Sequence, residues 1–214
     1  MDAPEIGSKR WLDAIRLADP VDIGKGRPTE RFHPTSDFLG RRLDIDGLYR
    51  VSALLLLEIL TTCGLVTWFK ERPFKLTAIR DGISAKPQFT FRWRDTTQFV
   101  LDVESGRFFT RKKAEKAEAL QKQFAERNLS YLVWTDTEHV TSVVRRNVED
   151  VRSCGHCMVD ARQVQDLREA MRSGPTSVGA LADRGIGRQA IFNQAHAGRV
   201  HFNLLEKLNV QSAK

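Results

Sequence analysis

The sequence has few of the features that mark secreted or membrane-embedded proteins. Its three cysteines are too few, and odd in number, for a disulfide framework, which favours reduced thiols. The longest apolar run, residues 53–57, is far shorter than the roughly 20 residues that a membrane-spanning helix needs. The N-terminus, MDAPEIGSKRW, lacks the apolar core of a signal peptide. These absences predict a cytoplasmic protein with no membrane partner.

Acidic residues are also scarce relative to basic ones. The 214 residues include 27 Asp and Glu against 34 Lys and Arg, which gives a net charge of +7, and the pI is about 9.6. A basic chain favours a polyanionic partner, and nucleic acid is the commonest one in the cytoplasm. Hydrophobic residues make up 41% of the chain, which is ordinary for a protein with a packed core.

Three regions differ in pattern and predict three parts. Residues 1–40 are polar and contain several prolines, which predicts an extended N-terminal arm whose only helix covers 9–18. Residues 41–150 predict one α/β domain. Its expected elements are a buried helix at 48–60, strand-like segments within 61–79, a hairpin at 86–105, a helix at 111–128 and a strand at 130–136. The last strand alternates poorly, so we expect it at the centre of the sheet.

Residues 151–214 predict a small winged-helix domain. Helices are expected at 159–174, 177–184 and 187–197, followed by an alternating strand at 199–205. Side chains expected to face DNA lie on the third helix (Arg188, Gln189, Asn193, Gln194, His196) and in the wing (Arg199, His201). The alternative is a helical unit that packs against a protein partner.

The stretch CGHC has the spacing of a zinc knuckle between Cys154 and Cys157. A structural zinc site usually needs four ligands, and only Cys63 or a distant histidine such as His139 could complete this one. The alternative is a pair of reduced cysteines in a turn.

The predicted hairpin, KPQFTFRWRDTTQFVLDVES, carries polar residues where its strands end. Gln88 begins the first strand, and Asp102 and Glu104 end the second. A metal-dependent nuclease needs two or three carboxylates that converge on Mg²⁺, with a lysine nearby to position the attacking water. The hairpin therefore raises the question of a nuclease site.

The order of segments resembles the TnsA-like endonuclease subunit of heteromeric transposases, a family of the restriction-endonuclease-like, PD-(D/E)xK group. The matching segments are LLLLEILTTCGLVTWFKERPFKL, AKPQF, FVLDVES, the lysine-rich helix with the strand YLVWTD, and the tail GPTSVGALADRGIGRQAIFNQAHAGRVHFNL. The resemblance covers about residues 40–210. It implies a mixed sheet flanked by helices, a C-terminal winged helix, and work on double-stranded DNA beside a transposase and an ATPase.

The positions that carry catalysis in that family are altered here. Arg50 stands near the place of its first glutamate, Gln88 replaces the aspartate after proline, and Glu104 replaces the lysine. Only Asp102 keeps its chemical type. Compensation would need Glu104 as a second acid, a carboxylate from Asp95 or Glu58, and a lysine from Lys112 or Lys113. Otherwise Asp102 and Glu104 would face Arg92, Arg94 or Arg107 as ion pairs.

We therefore expect a DNA-binding assembly subunit whose cutting activity is lost and which needs no cofactor. The first alternative is an active endonuclease that binds Mg²⁺ or Mn²⁺ at Asp102 and Glu104, with Gln88 and Lys112 completing the site. The second is a structural protein similar to phage head-completion proteins. The residues expected to contact DNA are Arg92, Arg94, Arg107, Arg111, Lys113, Arg188, Gln189, Asn193 and Arg199.

Overall fold

The computed structural model describes residues 5–21, 31–36, 38–79, 83–174, 176–201 and 203–204. The helices are α1 (Lys9–Leu17), α2 (Leu48–Thr62), α3 (Arg111–Ala125), α4 (Ser142–Gly155), α5 (Ala161–Arg172), α6 (Val178–Asp183) and α7 (Arg188–His196). The strands are β1 (Arg31–Phe32), β2 (Thr35–Ser36), β3 (Arg41–Arg42), β4 (Ile45–Asp46), β5 (Val66–Glu71), β6 (Leu76–Ile79), β7 (Ile83–Ala85), β8 (Phe89–Trp93), β9 (Gln98–Glu104) and β10 (Ser130–Thr135). The mixed α/β class predicted from the sequence is confirmed.

A four-stranded mixed sheet is the centre of the fold, with strand order β10-β9-β8-β5. Strands β5, β8 and β9 form an antiparallel meander, and β10 returns parallel to β9 after the crossover helix α3. The prediction that β10 is central was wrong, because β10 is an edge strand of this sheet. Its poor alternation has another cause. Tyr131 packs against α3 on one face, while Leu132 and Trp134 pack with α2 on the other.

Two apolar clusters cover the two faces of the sheet. On one face α2 supplies Ala53, Leu54 and Leu57, which are fully buried against side chains of β8 and β9. On the other face α3 supplies Leu120 and Phe124. We call these the α2 cluster and the α3 cluster.

The N-terminal helix α1 closes one side of the α3 cluster. Trp11 and Leu12 pack there, with the Trp11 ring centroid 5.0 Å from that of Phe74. Lys70 on β5 is 8% exposed, and its ammonium donates to the carbonyl oxygens of Arg16 and Ala18 at the end of the helix. Much of the predicted extended arm, residues 22–30 and 37, lies outside the described residues.

A third apolar cluster joins the C-terminal helices to α2. It contains Leu55 and Ile59 of α2 together with buried residues of α4, α5, α6 and α7, and we call it the helical cluster. Helix α4 was not predicted from the sequence. The predicted domain boundary at residue 150 falls inside it.

The predicted strand at 199–205 is not formed over the described residues 199–201 and 203–204. The backbone N–H groups of Arg199 and Val200 both donate to the Gln194 carbonyl, which closes the end of α7. Val200 is 7% exposed and packs in the helical cluster. Arg199 and Val200, the first two residues of the alternating pattern, therefore cap α7. Residues 202 and 205 lie outside the described part.

In the part of the chain that the structure describes, no helix combines the length and the apolar character needed to cross a membrane.

Candidate functional site

The hairpin register places Gln88 beside Asp102. Phe89 pairs with Leu101 across β8 and β9, and the Gln88 N–H donates to the Leu101 carbonyl at 3.0 Å and to Asp102 Oδ1 at 3.3 Å. Successive residues of a strand face opposite sides, and Leu101 and Val103 belong to the α2 cluster. Asp102 and Glu104 therefore lie on the α3 face of the sheet.

Asp102 forms a short hydrogen bond with a tyrosine of the neighbouring strand. The Tyr131 hydroxyl donates to Asp102 Oδ2 at 2.5 Å. Burial raises the pKa of the Asp102 carboxyl, and the nearby charge of Glu104 adds to the rise, although the Tyr131 bond and Lys116 oppose it. Burial and the Asp102 carboxylate together raise the pKa of Tyr131 as well. The Tyr131 hydroxyl therefore keeps its proton and remains a hydrogen-bond donor, and both oxygens of the Asp102 carboxylate already accept hydrogen bonds within the protein.

Glu104 is occupied by a lysine from α3. Lys113 Nζ donates to Glu104 Oε2 at 2.6 Å, and the two side chains are 42% and 28% exposed. Lys112, the lysine expected in the catalytic set, is exposed and forms no hydrogen bond or ion pair with Asp102 or Glu104. The reason is geometric, since consecutive helical residues point about 100° apart.

The carboxylates proposed as replacements do not converge on this place. Asp95 lies in the exposed turn at the other end of the hairpin, where it accepts from the Thr97 N–H at 2.9 Å. Glu58 faces the opposite side of the core and accepts from Ser36 Oγ at 2.5 Å. Among the described residues, no group of three or more His, Cys, Asp and Glu side chains could hold a metal ion. The donor set does not fit an octahedral Mg²⁺ or Mn²⁺ centre, which needs more oxygen ligands than two occupied carboxylates provide.

Arg50 approaches β9 from α2. Its Nε donates to the Val103 carbonyl at 3.2 Å, and its guanidinium lies 5.3 Å from the centre of the Tyr49 ring. Arg50, which was expected near the position of the first glutamate of the TnsA-like family, is therefore close to the strand that carries Asp102 and Glu104. Its side chain binds the backbone of β9 and provides no carboxylate for a metal ion.

The arginines of the hairpin do not pair with these acids. Arg92 is opposite Gln98, near the turn, and both Arg92 and Arg94 are exposed. Arg107 lies in the short 3₁₀ turn after β9, Arg111 is the first residue of α3, and both are exposed to solvent. The expected ion pairs of Asp102 or Glu104 with Arg92, Arg94 or Arg107 were wrong, since Tyr131 and Lys113 occupy the two acids.

The polar side chains predicted to face DNA from α7 are mostly engaged within the protein. Gln194 is 5% exposed, and the Asn193 amide donates to the carbonyls of Gly155 at 3.0 Å and Cys157 at 3.2 Å. Arg188 pairs with Asp150 at 2.5 Å. Gln189 is exposed. Arg199 is exposed too, and its Nη1 donates to Gln194 Oε1 at 3.2 Å. The expectation of an exposed polar face that includes Asn193 and Gln194 was wrong, because α7 is a core helix of the helical cluster.

The three cysteines are free thiols. Cys63 packs against the helical cluster with Cys154, and burial raises the pKa of both thiols. Cys157 Sγ donates to the Ser153 carbonyl at 3.5 Å. The CGHC stretch thus forms the turn that ends α4 and receives the Asn193 amide.

Two residues of this region escaped the sequence analysis. Tyr131 was assigned only to a strand, although a tyrosine in a short apolar strand needs a partner for its hydroxyl, which was an available signal. Asp136, just after β10, accepts from the Gly106 N–H at 2.7 Å and from Ser105 Oγ at 3.2 Å. Its contacts depend on the parallel return of β10 beside β9, which the sequence pattern does not specify.

Comparison of the chain with known protein families and with curated proteins gives no match.

Proposed function

We propose that this protein is a DNA-binding assembly subunit of a transposition-type complex, built on a TnsA-like, restriction-endonuclease-like core that has lost its cutting centre. Its partners would be double-stranded DNA and the transposase and ATPase subunits of such a complex. No metal cofactor is required in this proposal.

The chain path through the sheet supports the core assignment. Helix α2 is followed by the meander β5-β8-β9, then by the crossover helix α3 and the parallel strand β10. A restriction-endonuclease-like core has helices on both faces of such a mixed sheet. The winged-helix part of the proposal rests on α5, α6 and α7 alone, since no strand follows them in residues 199–201 and 203–204.

The bonding of the two strand-end acids is the observation that carries the proposal. Asp102 is bonded to Tyr131 and the Gln88 N–H, and Glu104 to Lys113. These bonds leave fewer carboxylate lone pairs for a cation, and Gln88 offers only a neutral amide. The α3 face therefore supports docking better than hydrolysis.

A basic surface next to these acids is the place where we expect DNA phosphates. It comprises Arg107 in the turn before α3 and Arg111, Lys112 and Lys113 in the first turn of α3, and we call it the α3 basic surface. Among the described residues, Arg107 and Lys112 have no acidic partner, whereas Arg111 pairs with Glu115 and Lys113 with Glu104. The N-terminus of the 15-residue helix adds a partial positive charge.

A binding titration with charge-reversal variants tests the proposal. We expect wild-type protein to bind a fluorescein-labelled duplex, and the Arg107→Glu/Lys112→Glu variant to lose at least about tenfold in affinity, with a salt slope smaller by roughly two. The matched control is Arg162→Glu/Arg168→Glu, which makes the same change in net charge at two exposed positions of α5. Equal losses in the two variants, or no duplex binding by the wild type, would contradict DNA docking on this surface.

An active endonuclease is the second candidate, and the contact between Lys113 and Glu104 favours it. In the resembled family a lysine occupies the position of Glu104. Here Lys113 places its amine beside Glu104, at the end of β9, and so could supply the missing lysine of a nuclease site. Calorimetric titration with Mn²⁺ separates the two candidates. Binding that is lost in Asp102→Ala, together with nicking of plasmid DNA, would establish the enzyme. No heat of binding and no nicking would leave the docking proposal.

A further inference from the structure

One aromatic side chain next to the α3 basic surface is mostly exposed to solvent. Phe108 is 62% exposed and lies in the short 3₁₀ turn Gly106–Phe108 that connects β9 to α3. An exposed phenylalanine forgoes the burial free energy of a large apolar side chain. Single exposed apolar residues are common, so exposure alone decides nothing. The structure of the surrounding loop and its charge make this one different.

The loop that carries Phe108 is held in place at several points. Asp136 accepts hydrogen bonds from the Gly106 N–H at 2.7 Å and from Ser105 Oγ at 3.2 Å. The Phe108 N–H donates to the Ser105 carbonyl at 2.9 Å. A Cβ on Gly106 would stand 2.3 Å from Thr137 Oγ1, so the loop packs tightly on the chain after β10. The ring is therefore presented from a fixed turn and not from a loose end.

One arginine contacts this ring, and two further cations follow it within four residues of the chain. The Arg107 guanidinium lies 5.6 Å from the ring centre, Arg111 is 94% exposed, and Lys112 follows it on α3. Glu115 offsets the charge of Arg111, but Arg107 and Lys112 have no acidic partner among the described residues. Positive charge around an exposed ring is the combination by which proteins bind single-stranded nucleic acid, since cations follow the backbone and rings stack on bases.

We infer that Phe108 is a stacking platform for an unpaired nucleotide base, held beside phosphates by Arg107, Arg111 and Lys112. This inference rests on the proposed DNA binding and narrows its substrate class to DNA with a single-stranded portion, such as a gap, an overhang or a strand opened by a partner. Bases inside an intact duplex already stack on one another and offer no free face to a protruding ring. An acidic peptide would satisfy the cations but gains little from the flat ring.

The test compares a fluorescein-labelled thymine-only strand with a blunt duplex of equal length, using wild-type protein and substitutions of Phe108. Loss of the ring in Phe108→Ala should weaken binding of the single strand by about tenfold, while the duplex affinity stays within about twofold. Phe108→Trp should retain or tighten single-strand binding. Phe108→Leu, which keeps an apolar side chain without a π face, should behave as the alanine variant. The melting temperatures of all variants should match that of the wild type, because Phe108 is mostly exposed.

The outcomes separate this inference from the proposed function. Duplex binding without single-strand binding, or single-strand binding that Phe108→Ala leaves unchanged, overturns the stacking platform and leaves DNA docking intact. If Phe108→Trp and Phe108→Leu weaken single-strand binding equally, the stacking platform is overturned as well, because stacking requires an aromatic ring and tryptophan supplies one whereas leucine does not. If poly-glutamate of equal charge displaces the single strand, the surface binds anions without regard to bases, and the stacking platform is overturned. If neither nucleic acid binds, both proposals fall.

Discussion

At the scale of single residues, the contact between Asp102 and Tyr131 decides how the candidate site is interpreted. A carboxylate that is taken out of water and accepts one hydroxyl and one backbone N–H has fewer lone pairs left for other partners. Its raised pKa follows from burial, with Glu104 as a second cause. Burial makes Asp102 a weak candidate for a metal ligand. The same burial should make the free energy of unfolding depend on the protonation of Asp102.

The sign of the pH effect follows from the raised pKa of Asp102. A carboxyl with a higher pKa in the folded chain binds its proton more tightly there than in the unfolded chain. The free energy of unfolding therefore falls as the pH rises from the unfolded value, about 3.9, to the folded one, and is level above it. We expect Asp102→Asn to remove this fall. Urea unfolding at a series of pH values measures it, and a pH-independent difference between variant and wild type would contradict the prediction.

Tyr131→Phe is the control for that measurement. It removes the donor that favours the charged carboxylate, so the pKa of Asp102 should rise further and the fall in stability should extend to higher pH. We also expect a loss of about 1–3 kcal/mol at neutral pH, because the buried carboxylate loses a hydrogen bond.

How much of the site can be predicted from the sequence differs from residue to residue. The proximity of Gln88 and Asp102 follows from the hairpin, since alternation and turn length fix its register. The choice of Lys113 over Lys112 depends on the rotation of α3 about its axis, which neighbouring lysines in a charged segment do not reveal. The Tyr131 contact depends on which strand lies beside β9, a long-range fact that alternation within one strand does not contain.

At the scale of elements, α7 shows how a polar sequence can belong to a buried helix. Its asparagine and glutamine read as an exposed recognition face, but Asn193 bonds the carbonyls that end α4. Gln194 bonds Asn193 and Arg199. The polar side chains satisfy backbone and each other, as buried polar groups must.

We expect Asn193→Ala to lower the free energy of unfolding by about 1–3 kcal/mol, because the end of α4 would lose its amide donor. The matched control is Gln189→Ala, at an exposed position one turn earlier, which should change stability by less than about 0.5 kcal/mol. Urea unfolding checks both. A recognition role for Asn193 would show the reverse pattern, with stability unchanged and duplex affinity reduced.

The sequence contains a signal for helix α4, but it contains none that Arg199 and Val200 would cap α7 and not begin a strand. Buried residues Val144, Val148 and Val151 follow a helical period, and Thr141 caps the helix by accepting from the Val144 N–H. The valines, poor helix formers, obscured that signal. Alternation at 199–205 indicates a strand locally. The contact of Val200 with the helical cluster, which is a tertiary contact, accounts for the position of Arg199 and Val200 at the end of α7.

At the scale of the whole molecule, α2 belongs to two cores at once. Leu54 and Leu57 lie in the α2 cluster and Leu55 and Ile59 in the helical cluster, so one helix ties the sheet to the C-terminal helices. A change of composition near residue 150 predicted separate domains, but composition does not show which faces of a shared helix are covered.

This sharing predicts a single unfolding transition. Leu55→Ala should cost about 2–5 kcal/mol, the usual range for a buried leucine. The loss should appear equally in tryptophan fluorescence and in far-UV circular dichroism. The four tryptophans all lie outside the helices α4–α7, so they report the sheet and α1. A dichroism transition that moves while the fluorescence transition stays in place would mean that the helical cluster unfolds on its own.

The buried ammonium of Lys70 has a consequence for chemical modification. Burial lowers the pKa of Lys70, which increases the fraction of neutral, nucleophilic amine at a given pH. Yet the Lys70 side chain is buried, and its Nζ donates to the carbonyls of Arg16 and Ala18 at the end of α1, so we expect an acylating reagent to reach it only after that helix has moved away. The rate at which Lys70 is acetylated should therefore report how often α1 detaches from the sheet. The acetylation rates of exposed lysines on the same molecule give the intrinsic reactivity of the reagent for comparison.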